Sequence, residues 1–118
     1  MLRNVFFTVI VPVYNGEKYL YQCLDRLITI DFDDYEILVV DNGSTDSTAQ
    51  ILSQYQSQYP DLINVYHIEH TNSPASGRNY GFHHANGLYT CICDVDDTMS
   101  GNSLREYYKV IQSTECDV

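Results

Sequence analysis

Tryptophan is absent from the 118 residues and basic side chains are scarce: six Lys and Arg stand against 16 Asp and Glu, a formal charge of -10. A nucleic-acid binder normally carries a basic footprint, so that class is disfavoured. The same imbalance opposes naked phosphate. A bound nucleotide would need a positive partner, and a divalent metal is the simplest source. The N-terminus lacks a signal-peptide pattern, and its apolar stretch, Val5 to Val13, falls far short of the roughly 20 residues of a membrane span. Membrane contact would have to come from outside this chain. The four cysteines, Cys23, Cys91, Cys93 and Cys116, form no CxxC pair and no zinc spacing, so a reduced, cytosolic compartment is expected. Also missing are a Walker loop, a glycine-rich dinucleotide fingerprint and a nucleophile elbow. His67 and His70 lie on a predicted strand facing opposite ways, and His83 and His84 diverge on a predicted helix. Surface or packing roles suit all four better than a metal site.

Hydrophobic residues make up 44 %, enough for one core, and the length fits one domain without repeats or linkers. Phe7 to Val13 is a continuous apolar, β-branched run, which predicts a strand buried on both faces, and Tyr35 to Val40 reads as a second buried strand. Between them, Leu20, Cys23, Leu24, Leu27 and Ile28 recur at helical spacing, with Asn15 as a candidate cap. A second helix follows Asp46, capped by Ser44 or Thr45, and stops before Pro60. Ile63 to Ile68 and Leu88 to Val95 read as two more strands, with Cys91 and Cys93 as small core residues. Pro74 to Ala85 reads as a helix presenting Ala75, Phe82 and Ala85 inward, and a last helix spans about Ser103 to Ser113. This alternation predicts a mostly parallel sheet with helices on both faces. Such sheets bind ligands beyond the carboxyl ends of their strands. Tyr14-Asn15, Asp41-Asn42 and Asp94 to Asp97 all fall there.

Each cluster has two readings. Asp94 and Asp96, two apart on an extended segment, project to one side and suit a hard divalent cation, or they form a solvated acidic turn. Asp41 and Asn42 can bond a base edge or a ribose, or they serve an ordinary turn with Gly43. Arg78 is either a phosphate or base ligand, or a surface cation among acids.

In combination these segments resemble family 2 glycosyltransferases. The resemblance rests on Val9-Ile10-Val11-Pro12-Val13-Tyr14-Asn15, on Asp41-Asn42-Gly43-Ser44-Thr45-Asp46, and on Ala75 through Asp97, with Arg78-Asn79-Tyr80-Gly81, Ala85-Asn86-Gly87-Leu88-Tyr89 and Asp94-Val95-Asp96-Asp97. It covers nearly the whole chain. It implies a Rossmann-like GT-A fold and transfer of a sugar, usually with inversion, from a nucleotide-diphosphate donor to a saccharide or lipid-linked acceptor in cell-surface polysaccharide or glycolipid synthesis. By the same resemblance Pro12 and Tyr14 flank the base, and Asp41 and Asn42 hold base and ribose. Arg78 assists the base or the pyrophosphate. Asp94 lies near the ribose, and Asp96, with Asp94, ligates manganese or magnesium. Val13, Asn15, Glu17 and Val95 complete the implied donor-binding set. Uridine is the family's common base, and the cytoplasmic face of the membrane its common place of work.

Two positions depart from the family pattern: Asn42 stands where a second Asp is usual, and Gly77 where Ala is common. No general base is assignable, and inversion needs one opposite the leaving group. The expectation is therefore a truncated donor half, residues 1–118, with the acceptor half and its base beyond Val118. Two rivals stand beside it. One is a non-catalytic module that binds a nucleotide sugar. The other is a haloacid-dehalogenase-type phosphatase using Asp94 and Asp96 in Asp94-Val95-Asp96-Asp97-Thr98, although that motif belongs after a first strand.

Overall fold

The computed structural model describes residues 5–73, 75–95 and 103–113. Strands and helices alternate as β1 (Val5–Val13), α1 (Glu17–Ile28), β2 (Tyr35–Asn42), α2 (Thr48–Gln58), β3 (Ile63–Ile68), α3 (Ala75–His84), β4 (Gly87–Ile92) and α4 (Ser103–Ser113). The strands form one sheet in the order β3-β2-β1-β4. Every pairing is parallel, with Val9 opposite both Ile37 and Cys91, and Val39 opposite Val65. This is the expected α/β architecture. Among the described residues no helix is long and apolar enough to cross a membrane.

The central strands β1 and β2 are mostly apolar because both of their faces are covered. On one face Phe7, Val9, Val11 and Val13 join Ile37 and Val39 under α1 and α2, which contribute Leu20, Leu24, Leu27, Ile51 and Leu52. Each such fully buried side chain is worth about 1.5–3 kcal/mol. Leu104 of α4 enters the same cluster, and Tyr108 packs on Phe6 and Phe32.

The other face is covered by α3, and here the sequence misled. Ala75 and Phe82 are exposed, whereas Gly77 and Gly81 are the buried residues of α3. The helix packs through its missing side chains: a Cβ on Gly81 would lie 2.6 Å from Cγ2 of Ile10. Two polar side chains are also buried on this face. Glu36, 2 % exposed, accepts the Thr8 hydroxyl at 2.6 Å and the Asn86 amide at 2.8 Å. Thr8 Oγ1 in turn accepts the Gly87 N–H at 2.8 Å, which fixes the turn from α3 into β4.

β4 ends at Ile92, earlier than the predicted Val95. Cys93 N–H still donates to the Ile10 carbonyl at 2.9 Å, and the chain then turns away. Among the described residues β4 lies at the sheet's edge, and it alternates: Tyr89, Cys91 and Cys93 face the α1–α4 cluster, while Leu88 and Ile92 are 76 % and 37 % exposed. Burial raises the Cys91 thiol pKa above its usual value, which suits a packing role.

Candidate functional site

Moving from β1 to β2 and β3 carries the chain one way across the sheet, and β4 lies on the other side of β1. That reversal leaves a crevice at the carboxyl ends of β1 and β4. The crevice is a cavity of about 150 Å³. It is smaller than the roughly 300–1,000 Å³ of a complete small-molecule site, so it has room for one ring and its substituents. Pro12, Val13 and Tyr14 line it from the end of β1, Asn42 from β2, Gly77 and Arg78 from α3, and Asp94 from the segment after β4. Residues from four separate motifs thus meet in one place.

Strand alternation decides which residues reach it. Asn42 shares its face of β2 with Val40, toward α3 and the crevice. Asp41 points the other way and is 2 % exposed. Its Oδ1 accepts the Ser44 N–H at 3.0 Å, and its Oδ2 lies 2.9 Å from His67 Nδ1. The Asp41 carboxylate is thus engaged inside the fold by Ser44 and His67. β2 runs on through Asn42, so Asp41 is turned under α1 and α2 rather than onto the rim.

Asn15 and Glu17 are engaged within the fold in the same way. Asn15 does not cap α1, whose N-cap is Gly16. It adopts a left-handed φ of 49°, and its Oδ1 accepts the N–H groups of Thr45 at 2.7 Å and Asp46 at 3.3 Å. Glu17 Oε2 accepts the Ser47 N–H at 2.9 Å. Both residues brace the turn before α2. The α2 cap is likewise neither Ser44 nor Thr45: Ser47 is the N-cap residue, and Asp46 Oδ1 accepts the Thr48 N–H at 2.9 Å. Partial burial pushes the Asp46 carboxyl up, but hydrogen bonds from Thr48 and from the Glu17 N–H outweigh it and leave its pKa below the usual value. Val95 is half-buried near Gly16 and is not among the residues lining the crevice.

Arg78 and Asp94 face each other across the crevice. One Arg78 Nη2 lies 3.4 Å from both Asp94 oxygens, and each side chain is 43 % exposed. A long, half-exposed pair of this kind is worth about 0–1 kcal/mol. Arg78 Nε is buried and has no partner among the described residues. The half-exposed guanidinium can still donate through its Nη groups to an anion or an oxygen-rich ligand. For a divalent cation, Asp94 offers one hard-oxygen ligand beside the crevice. The described residues contain no group of three or more His, Cys, Asp and Glu side chains that could hold a metal. Asp96, the expected second ligand, lies outside the described residues, as do Asp97 and Thr98.

The histidines were expected to play surface or packing roles, and His70 does more. Its ring stacks on Tyr14 with centroids 4.2 Å apart, at the edge of the crevice. No local pattern marks this pair, because its partners come from segments far apart in sequence.

The family described as Glycosyl transferase family 2 matches residues 8–118. The poly(ribitol-phosphate) beta-glucosyltransferase of Bacillus spizizenii is 33% identical over 113 residues, which cover 94% of this chain and 18% of the relative. The crystal structure of S. aureus TarS 1-349 in complex with UDP-GlcNAc superposes with a TM-score of 0.84 at 33% identity, over 92% of this chain and 31% of that one. Mannosyltransferase PcManGT from Pyrobaculum calidifontis, in complex with GDP-Man and Mn2+, superposes at 0.83 with 26% identity, over 92% of this chain and 33% of that one. The chain therefore spans a third or less of each of these proteins.

Proposed function

The chain belongs to glycosyl transferase family 2, and on that premise we propose that its crevice receives the nucleotide of a nucleoside-diphosphate sugar, for transfer of the sugar to a saccharide or lipid-linked acceptor. The observation that carries this reading is the meeting of Pro12, Tyr14, Asn42, Arg78 and Asp94 at the switch point of a parallel sheet. A cavity of about 150 Å³ seats a base rather than the whole donor, so ribose, diphosphate and sugar extend outward.

Each side chain then has a task set by its chemistry. Pro12 and the Tyr14 ring supply flat apolar walls for a base. Asp94 accepts from a ribose hydroxyl. Arg78 donates to the diphosphate through the Nη groups of its half-exposed guanidinium. The chain's charge of -10 makes this one guanidinium insufficient for a diphosphate. A manganese or magnesium ion held by Asp94 and Asp96 would offset the negative charge of the leaving diphosphate. The manganese in the mannosyltransferase complex, and the UDP-GlcNAc in the TarS complex, support a metal and a UDP-sugar as the first ligands to try. The acceptor is proposed to be a cell-surface polymer handled at the cytoplasmic face, in keeping with the poly(ribitol-phosphate) named for the Bacillus relative. None of the described residues is assigned as the general base, so the chain's own share is donor binding.

Titration of UDP into the purified chain, with and without manganese, tests this reading. Binding should strengthen with the metal. Loss of a charged hydrogen bond, about 1.5–3 kcal/mol, should weaken Arg78→Ala by roughly 10–100-fold. Asp96→Asn should erase the metal's effect. No UDP binding by a folded sample, with or without metal, would sink the proposal.

A further inference from the structure

The Asn42 carboxamide does not reach into the crevice as an unengaged recognition group. Its Nδ2 donates to the Thr71 carbonyl at 2.9 Å, and its Oδ1 accepts the Thr71 N–H at 2.9 Å. This two-way contact matches an amide to an amide, as one strand matches another. The same loop is fastened a second time. His70 Nδ1 lies 3.0 Å from the Asn42 carbonyl oxygen, and its Nε2 lies 3.3 Å from Asn72 Oδ1. Gly43 makes the close approach feasible: its φ is +68°, and a Cβ there would lie 2.7 Å from the His70 backbone nitrogen. With the loop so held, the His70 ring lies against Tyr14, which lines the crevice while remaining 47 % exposed. The same loop leads into α3, which carries Gly77 and Arg78.

Resting on the donor-site reading above, we infer that Asn42 is a positioning residue. By clamping Thr71 it holds His70 against Tyr14 and so sets the aromatic rim that receives the nucleotide. An Asp at this position would keep the acceptor for the Thr71 N–H but would set a second carboxylate oxygen against the Thr71 carbonyl. The clamp would open although the side chain keeps its shape. His70 acts one step further along: its ring fixes the Tyr14 ring, and its nitrogens fasten the loop.

The test compares the 118-residue chain with Asn42→Asp, His70→Ala and His70→Phe. Proton NMR reads the Tyr14–His70 ring contacts and the exchange rate of the Thr71 amide. UDP titration with manganese reads the site. Asn42→Asp should lose the ring contacts, exchange the Thr71 amide at least tenfold faster and bind UDP about tenfold more weakly, the effect of one lost hydrogen bond. His70→Ala should bind as weakly with its Thr71 amide still slowed, and His70→Phe, which keeps a ring on Tyr14, should recover most of the affinity. The His70 pair carries the test if Asn42→Asp fails to fold. Weak binding by Asn42→Asp with the ring contacts intact would mean that Asn42 touches the ligand directly, and would overturn the inference. So would unchanged affinity after the contacts are lost, or no recovery in His70→Phe. If the parent chain shows the ring contacts but binds no UDP, the donor-site reading itself fails, and the inference falls with it.

Discussion

Gly81→Ala is the substitution that best separates packing from helix propensity in this fold. Alanine in a helix interior is favoured over glycine by about 1 kcal/mol, so propensity alone says the change stabilises. The sheet says otherwise. The new Cβ would meet Ile10 Cγ2 at 2.6 Å, Cδ1 at 3.1 Å and Cγ1 at 3.2 Å. Ile10 is 0 % exposed, so its methyl groups have nowhere to turn. Carbon atoms prefer about 3.5–4.0 Å, so relief requires α3 to lift by roughly 1 Å. Overpacking of this kind costs about 1–3 kcal/mol. The net expectation is a loss of about 0–2 kcal/mol, or a fall in Tm of up to roughly 8 °C for a domain of this size. Lifting α3 also carries Arg78 away from Asp94, already 3.4 Å distant, so UDP affinity should fall together with stability. Gly77→Ala is the control, because its Cβ would lie 3.1 Å from Pro12 Cβ and needs only a small adjustment. Thermal unfolding by circular dichroism compares the three proteins. A Gly81→Ala protein more stable than the parent would refute the reasoning.

Two further predictions follow from polar groups. Glu36→Gln should lose only about 1 kcal/mol in urea unfolding, since one oxygen still accepts the Thr8 hydroxyl and the Asn86 backbone N–H, and the Asn86 side-chain carboxamide can flip, whereas Glu36→Ala leaves buried partners unsatisfied and should lose about 2–5 kcal/mol. The Asp46 carboxyl has a folded pKa below its ordinary 3.8, so its ionised form favours the folded state above that pH, and this contribution disappears as pH falls through the lower folded value. In acid titrations of stability between about pH 5 and pH 3, Asp46→Asn should therefore show a shallower decline than the parent.

The strands were readable because burial on two faces leaves an uninterrupted apolar run, as in Phe7 to Val13, whose length and β-branching distinguish it from a helix. The inward face of α3 was not, because the periodicity rule counts apolar side chains, while Gly77 and Gly81 pack by having none. Capping rules are equally local. They offered Asn15 to α1, yet its carboxamide serves Thr45, and Glu17 serves Ser47, both about 30 residues on. Tyr14, Asn42 and Asp94 could be gathered on one rim from strand order alone, whereas Arg78, on α3, could not. Asp41 could not be separated from Asn42 until the extra length of β2 fixed which of them faces the crevice. The partnership of His70 with Tyr14 depends on a loop path that no short pattern encodes.

The strand order also gives the crevice a history. Val9 meets Ile37 after one helix, but it meets Cys91 only about 80 positions along the chain, the longest closure in the sheet. β1, β2 and β3 can associate with α1 and α2 before β4 arrives, and β4 brings one buried face and one exposed face to the joint. The wall that carries Asp94 thus rests on the longest-range pairing in the sheet. Opening it abolishes the crevice while most of the core survives. A ligand held between Tyr14 and Asp94 would act as a rivet, stabilising the β1–β4 seam more than the rest of the sheet.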